Sequence, residues 1–231
     1  MRIFFTSDMH FGHLRIIELA GRPFDSVEHM AREIVRRWNS VVAPGDRVYV
    51  VGDVAMGSIL LSLANIGLLN GELILIEGNH DRTFMAKNDE QRAKWEKIYL
   101  DAGFSAIYPN LVLHNFDGLP TVNLSHFPYV GDSHDGDRFE SIRLEDKGIP
   151  LIHGHTHSTG HPVTWSYKRL RKVPVFDMAT NKQVIGDDGK PEFTEVPVPT
   201  IQIHVGVDAW DFTPVSLEKI AEILSENGYT N

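Results

Sequence analysis

The chain has 231 residues, 22 Lys and Arg against 31 Asp and Glu, and a net charge of −9, so extended duplex nucleic acid, which needs many cationic contacts, is not an expected partner. A hydrophobic share of 42% and a charged share of 23% fit a globular protein with its own core and exclude a disordered chain. With no Cys there is no disulfide scaffold, thiol nucleophile, Fe–S cluster or thiolate zinc site, and 12 His become the chemical signal to follow.

In chain order, short and nearly continuous apolar runs at 2–6, 47–51 and 72–77 predict strands buried on both faces. Between them, residues 25–39 predict a helix capped by Asp25, with Val27, Met30, Ala31, Ile34, Val35 and Trp38 on one apolar stripe. Further helices are expected at 58–69, 89–101 and 216–226, and further strands at 111–114, 121–124, 149–152 and 200–205. This alternation predicts an α/β layered fold, a single domain over 1–231 with a β-hairpin excursion at 161–199 turning at Gly186-Asp187-Asp188-Gly189-Lys190-Pro191. The uncharged stretch 54–71 carries Gly57, Asn65, Gly67 and Asn70, which predicts a buried helix and not a membrane span. With no secretory h-region at the N-terminus, a cytoplasmic protein without a membrane partner is expected.

Five apolar runs end in oxygen and nitrogen ligands. These are Asp8-Met9-His10, Asp53, Asn79-His80-Asp81, His126 and His155-Thr156-His157. Sites in open α/β sheets lie beyond the carboxyl ends of strands, so the five loops can converge on one centre. Asp8 and His10, like His155 and His157, are two apart and share a side in extended chain. Gly52, Gly78 and Gly154 precede ligands where the chain must bend away from its strand. A sulfur-free set with more ligands than one tetrahedral ion needs suits a pair of divalent transition-metal ions, Mn2+ first and Fe, Zn, Ni or Co after it. Each block alone is weak; the ordered conjunction is the signal.

That order resembles the calcineurin-like metallophosphoesterase superfamily: D-x-H, G-D, G-N-H-D, a lone H and G-H-x-H, all intact between residues 8 and 157. The phrases FTSDMHFGH, GRPF, WN, LSHFP and VGVDAWDFTPVSL are similar to a small bacterial and phage branch, which has Asn at the position of His204. The resemblance implies a four-layer α/β/β/α sandwich. It implies one metal on Asp8, His10, Asp53 and His157, and another on Asp53, Asn79, His126 and His155. It places His80 outside the metal shell, as proton donor to the leaving oxygen or as transition-state stabiliser, with Asp81 or a backbone carbonyl orienting it. The implied reaction is hydrolysis of small or nucleotide phosphodiesters by a hydroxide bridging the metals. Phosphomonoesterase, nuclease and non-catalytic metal-binding scaffold remain as alternatives.

Among other features, His13 is read as a contact for substrate phosphate or as support behind the ligands. The cationic stretch 165–172 is read as a solvated hairpin arm, and the acidic loop 132–140 as a surface loop.

Overall fold

The computed structural model describes residues 1–134, 136 and 138–230; Asp135 and Asp137 of the acidic loop lie outside the described residues. The elements are β1 (Ile3–Thr6), α1 (Leu14–Leu19), α2 (Val27–Val41), β2 (Arg47–Val50), α3 (Ile59–Leu63), β3 (Glu72–Ile76), α4 (Asp89–Ala102) and β4 (Phe104–Tyr108). Then follow β5 (Leu111–Leu113), β6 (Val122–Leu124), β7 (Leu151–His153), β8 (Val163–Pro174), β9 (Phe193–His204), β10 (Val215–Ser216) and α5 (Leu217–Glu226). They form two five-stranded sheets, ordered β10-β1-β2-β3-β4 and β5-β6-β7-β9-β8, and this is the expected α/β sandwich.

The continuous apolar runs are explained by two cores. In β1, β2 and β3 the side chains alternate: Phe4, Val48, Val50, Leu73 and Leu75 join Met30, Ile34 and Trp38 of α2 in one core. Ile3, Phe5, Tyr49, Val51, Ile74 and Ile76 enter the other, against Val122, Leu124, Ile152, Ile201 and Ile203 of the second sheet and Ile220 and Leu224 of α5. β1, β2 and β3 are parallel, so their carboxyl ends open on one edge.

The second sheet alternates apolar with buried polar residues. Asn123, His153, Gln202 and His204 face away from the shared core. Tyr129 and Val130 lie over that face: Asn123 donates to the Tyr129 hydroxyl at 2.7 Å, and Val130 N donates to Gln202 Oε1 at 3.1 Å. β8 and β9 run antiparallel, with a register shift between Ser166 and Arg169, and pair as far as Pro174 with Phe193.

Three local expectations are corrected. Ser26, not Asp25, caps α2, accepting from His29 N at 3.1 Å. The helix expected over 58–69 is α3 followed by a 3-10 turn at Ile66–Leu68, because Asn65 Nδ2 donates back to Ser62 O and diverts the backbone. The acidic loop is not simply a surface feature, since the Asp132 side chain is fully buried. No helix among the described residues is long and apolar enough to cross a membrane.

Candidate metal centre

The loops after β1 and β2 stay zipped beyond the sheet. Asp8 N donates to Gly52 O, His10 N to Asp53 O and Phe11 N to Val54 O, at 2.9–3.0 Å. Met9 and Phe11 are buried in the helix-side core, which turns the alternating Asp8 and His10 to the opposite side. The turn is made in the left-handed region: φ is +59° at Asp8, +51° at His10, +56° at Asp53, +70° at His155 and +49° at His157. L-residues seldom occupy that region, and each such residue costs about 1–3 kcal/mol unless its surroundings hold it. Five such residues on three loops, all aimed at one point, mark a site built against local preference.

The glycines have two different reasons. Gly52 has φ +87°, and a side chain there would overlap the His126 ring and the Gly78 backbone. Gly154 has ordinary φ; it is required for room, because a Cβ would stand 2.7 Å from Ser7 Oγ and 2.8 Å from Asp8 Oδ2. Gly78 likewise leaves space for Asp53.

Acceptor atoms converge. His10 Nε2 lies 3.2 Å from His157 Nε2 and 3.6 Å from Asp53 Oδ2, and His157 Nε2 lies 3.8 Å from Asp8 Oδ1. On the other side of Asp53, His126 Nε2 is 3.4 Å from Asp53 Oδ2 and 3.2 Å from Asn79 Oδ1, which is itself 2.9 Å from His155 Nδ1. Two clusters result, Asp8–His10–His157 and Asp8–Asp53–His126, each with ligand atoms within 4.8 Å of one another. A gathering of carboxylate, amide and imidazole acceptors with few donors among them suits divalent cations, and the donor types fit a nitrogen- and oxygen-preferring metal.

The imidazoles are prepared differently. Burial drives His10 down to about 3, with Asp53 opposing, and burial with the neighbouring His126 takes His155 down to about 4. Both rings are therefore neutral near pH 7. Burial also works against a charged His126, yet the Asp53 carboxylate overrides it and lifts the ring to about 9. Burial pushes Asp53 and Asp8 up, but the surrounding imidazoles hold both carboxyls well below the usual range. His126 Nδ1 lies 2.9 Å from Val51 O, a bond that leaves Nε2 facing the centre.

His80 and Asp81 part company. His80 N donates to Asp53 Oδ1 at 2.8 Å, while its side chain is 40% exposed and its Nε2 is 4.0 Å from Asp53 Oδ2. Asp81 is fully buried, and its bonds go to the backbone around Asp53 instead of to the His80 ring. Its oxygens accept from Asp53 N, Val54 N and Gly78 N at 2.8–3.1 Å, and from the Tyr99 hydroxyl at 3.4 Å. Burial and the nearby Asp53 charge push Asp81 up to about 7, with the hydrogen bonds from Gly78 N and Val54 N opposing that push. Asp81 thus fixes the turn that carries Asp53.

His13 precedes α1 and lines a cleft of about 420 Å3 over the centre, together with His10, His80, His157, Met56, His134 and Arg138. His153, the first histidine of the His153–His157 run, faces the other side of its sheet, its Nδ1 2.8 Å from Gly154 O. Three further residues belong to the site although no ligand pattern marks them in the sequence. Asp208 Oδ2 lies 3.0 Å from His157 Nδ1, Arg22 binds Asp208 and the carbonyls of Asp8 and Met9, and Asp132 Oδ1 lies 3.3 Å from His155 Nε2. The phrases GRPF and VGVDAW contain Arg22 and Asp208, so a signal was present without a role attached.

Comparison with known proteins agrees with this geometry. The Calcineurin-like phosphoesterase family profile matches residues 1–159. The Gene 66 proteins of Mycobacterium phages L5 and D29 are 34% and 32% identical, over 89% and 97% of this chain and 86% and 96% of their own lengths. Protein AQ665 of Aquifex aeolicus, a solved structure at 22% identity, shares the fold with a TM-score of 0.59 over 96% of this chain and 98% of its own. With profile, relatives and converging ligand loops in accord, the chain belongs to the calcineurin-like phosphoesterase family of metal-dependent hydrolases acting on phosphate esters.

Proposed function

We propose that the chain is a dinuclear phosphodiesterase acting on small or nucleotide phosphodiesters, with Mn2+ as its resident ion. Asp8, His10, Asp53 and His157 would hold one ion, and Asp53, Asn79, His126 and His155 the other. The supporting observation is Asp53 Oδ2, one carboxylate oxygen 3.6 Å from His10 Nε2 and 3.4 Å from His126 Nε2, where the two groups meet. Bound divalent ions lower the pKa of water to ~7 and offset charge on phosphoryl oxygens.

The chain's own residues supply the rest. His80, exposed at the cleft, gives a proton to the leaving ester oxygen, which matters most for a poor leaving group. Asp81 acts as a positioning residue through Asp53. His13 contacts a phosphoryl oxygen or the ester arm at the cleft mouth. Ile16, Leu19 and Met56 with His134 and Arg138 give the cleft both apolar and polar lining, which suits the two arms of a diester. The chain's location is proposed as cytoplasmic.

Chelator-stripped protein should be inactive on bis-p-nitrophenyl phosphate and recover with Mn2+, turning it over faster than p-nitrophenyl phosphate. Failure to turn over with any divalent metal overturns the reading. A panel of 2′,3′-cyclic, 3′,5′-cyclic, mononucleotide and oligonucleotide phosphates then identifies the substrate class.

A further inference from the structure

His155 and His157 each have one ring nitrogen toward the centre and the other against a carboxylate far away in sequence. For His157 that carboxylate is Asp208. For His155 it is Asp132, on the loop that follows Tyr129 and Val130. We propose that Asp132 is the positioning residue for His155, fixing the ring so that Nδ1 faces Asn79 Oδ1 and setting the affinity of the second metal position. This rests on the two-ion reading above.

The His155 ring is buried, 5.2 Å from Phe127 and 5.7 Å from Phe139 between centroids. Those rings limit its tilt but do not choose which nitrogen enters the site. A neutral imidazole that ligates through Nδ1 carries its proton on Nε2, and a buried N–H without an acceptor costs about 1–3 kcal/mol. Asp132 Oδ1 is the carboxylate oxygen beside Nε2, at ion-pair distance (3.3 Å) but out of hydrogen-bond alignment, and Nε2 makes no hydrogen bond to any other described residue. Its own ionisation is secured: Arg138 donates from N, Nε and Nη2 at 2.7–3.1 Å, and Arg143 Nη2 approaches to 3.4 Å. The other tautomer would carry its proton on Nδ1, present it to Asn79 Oδ1 and lose a ligand atom.

Asp132 also anchors its loop, and a purely structural role must be separated. Tyr129 provides the comparison. Its hydroxyl ties the same loop by accepting from Asn123 Nδ2 at 2.7 Å and donating to Ile149 O at 2.9 Å, and neither tie involves Asp132 or His155. Asp132→Asn removes the charge at constant size; Tyr129→Phe removes loop ties and keeps the carboxylate and both of its arginine partners.

The experiment loads metal-free protein with Mn2+ and reads stoichiometry by elemental analysis, stepwise affinity by calorimetry, and exchange coupling between the two ions by electron paramagnetic resonance. Asp132→Asn is expected to bind the second Mn2+ about 10–100-fold more weakly, the range for loss of a ligand's supporting partner. At one equivalent it should show isolated rather than coupled Mn2+. Tyr129→Phe should keep both ions within about threefold of wild type. Unchanged second-ion affinity in Asp132→Asn overturns the proposal, as does an equal loss in Tyr129→Phe or an equal loss of both ions in Asp132→Asn. A wild-type chain that takes a single Mn2+ overturns the two-ion reading and the proposal with it, and is recognised before any variant is made.

Discussion

Asp208 holds His157 by its Nδ1 at 3.0 Å while gripping Arg22 through both oxygens, at 2.7 and 2.9 Å. Arg22 in turn donates to Asp8 O at 2.7 Å and Met9 O at 3.0 Å, so one buried ion pair fixes ligands from both ends of the site. Asp208→Asn is expected to weaken the first metal position about 10–100-fold. It also leaves a buried guanidinium short of its charge partner, at a cost of about 3–5 kcal/mol. Calorimetric Mn2+ titration and urea unfolding of the metal-free protein read the two effects separately. Wild-type affinity with lowered stability would assign Asp208 to the fold alone.

His80 and Asp81 are neighbours in sequence with opposite surroundings, and their variants should differ in kind. His80→Ala is expected to retain both metals and slow turnover by about 10²–10⁴-fold, the span of general acid catalysis, with the greater loss on poor leaving groups. Asp81→Asn can accept through one oxygen only and sets an amide against peptide N–H groups of the Asp53 turn, at about 1–3 kcal/mol. It is expected to lower metal content as well as rate. Metal analysis beside kcat for each variant checks the contrast.

Much of the convergence was legible because metal chemistry restricts residue type and because each candidate ligand follows a strand. Asp8, His10, Asp53, Asn79, His126, His155 and His157 follow that rule, and the structure brings them together. Asp132, Asp208 and Arg22 follow none. They come from loops whose approach depends on the tertiary fold, and a lone Asp in a loop resembles any solvated one. The same distinction holds for the elements. β1, β2 and β3 are apolar on both faces and announce themselves, whereas α1 has six residues, β10 has two, and β4 carries half-exposed positions, too little burial for a periodic pattern.

The histidines give the metal-free protein a defined pH profile. His10 near 3, His153 near 3 and His155 near 4 lie below the unfolded value of about 6.5, so stability falls as pH drops from about 6.5 and the unfolded chain takes up protons. His126 near 9 is raised; its contribution is complete below about 6.5 and disappears as pH rises toward 9. Asp81, raised to about 7, opposes the three lowered rings between about pH 4 and 7 but is outnumbered. Urea midpoints of chelator-treated protein should therefore peak near pH 6.5 and decline on both sides. Mn2+ loading at pH 7.5 should release at least one proton, from His126 as it becomes a ligand and in part from metal-bound water, measured by calorimetry in buffers of different ionisation enthalpy. A binding enthalpy independent of buffer would contradict the raised His126.

Gly52 sits where the site leaves no room for a methyl group, and Gly52→Ala is the smallest change that tests it. The position has φ +87°, and a methyl there meets His126 Nδ1 and the Gly78 backbone, neither of which is the free end of a flexible chain. Left-handed backbone alone costs an L-residue about 1–2 kcal/mol, and relieving the overlap moves either His126 off Val51 O or Gly78 off the Asp81 carboxylate. Either movement reaches Asp53 or its neighbour. The expected outcome is a loss of about 2–5 kcal/mol in urea unfolding, the sum of left-handed strain and overpacking, together with weakened binding at the second metal position. Gly21→Ala is the matched control, since Gly21 also has positive φ, at +60°, but nothing lies within 4 Å of the place its methyl would take. It should show the backbone cost alone and normal Mn2+ stoichiometry. Equal effects from the two variants would mean that contact at Gly52 contributes nothing to the metal site.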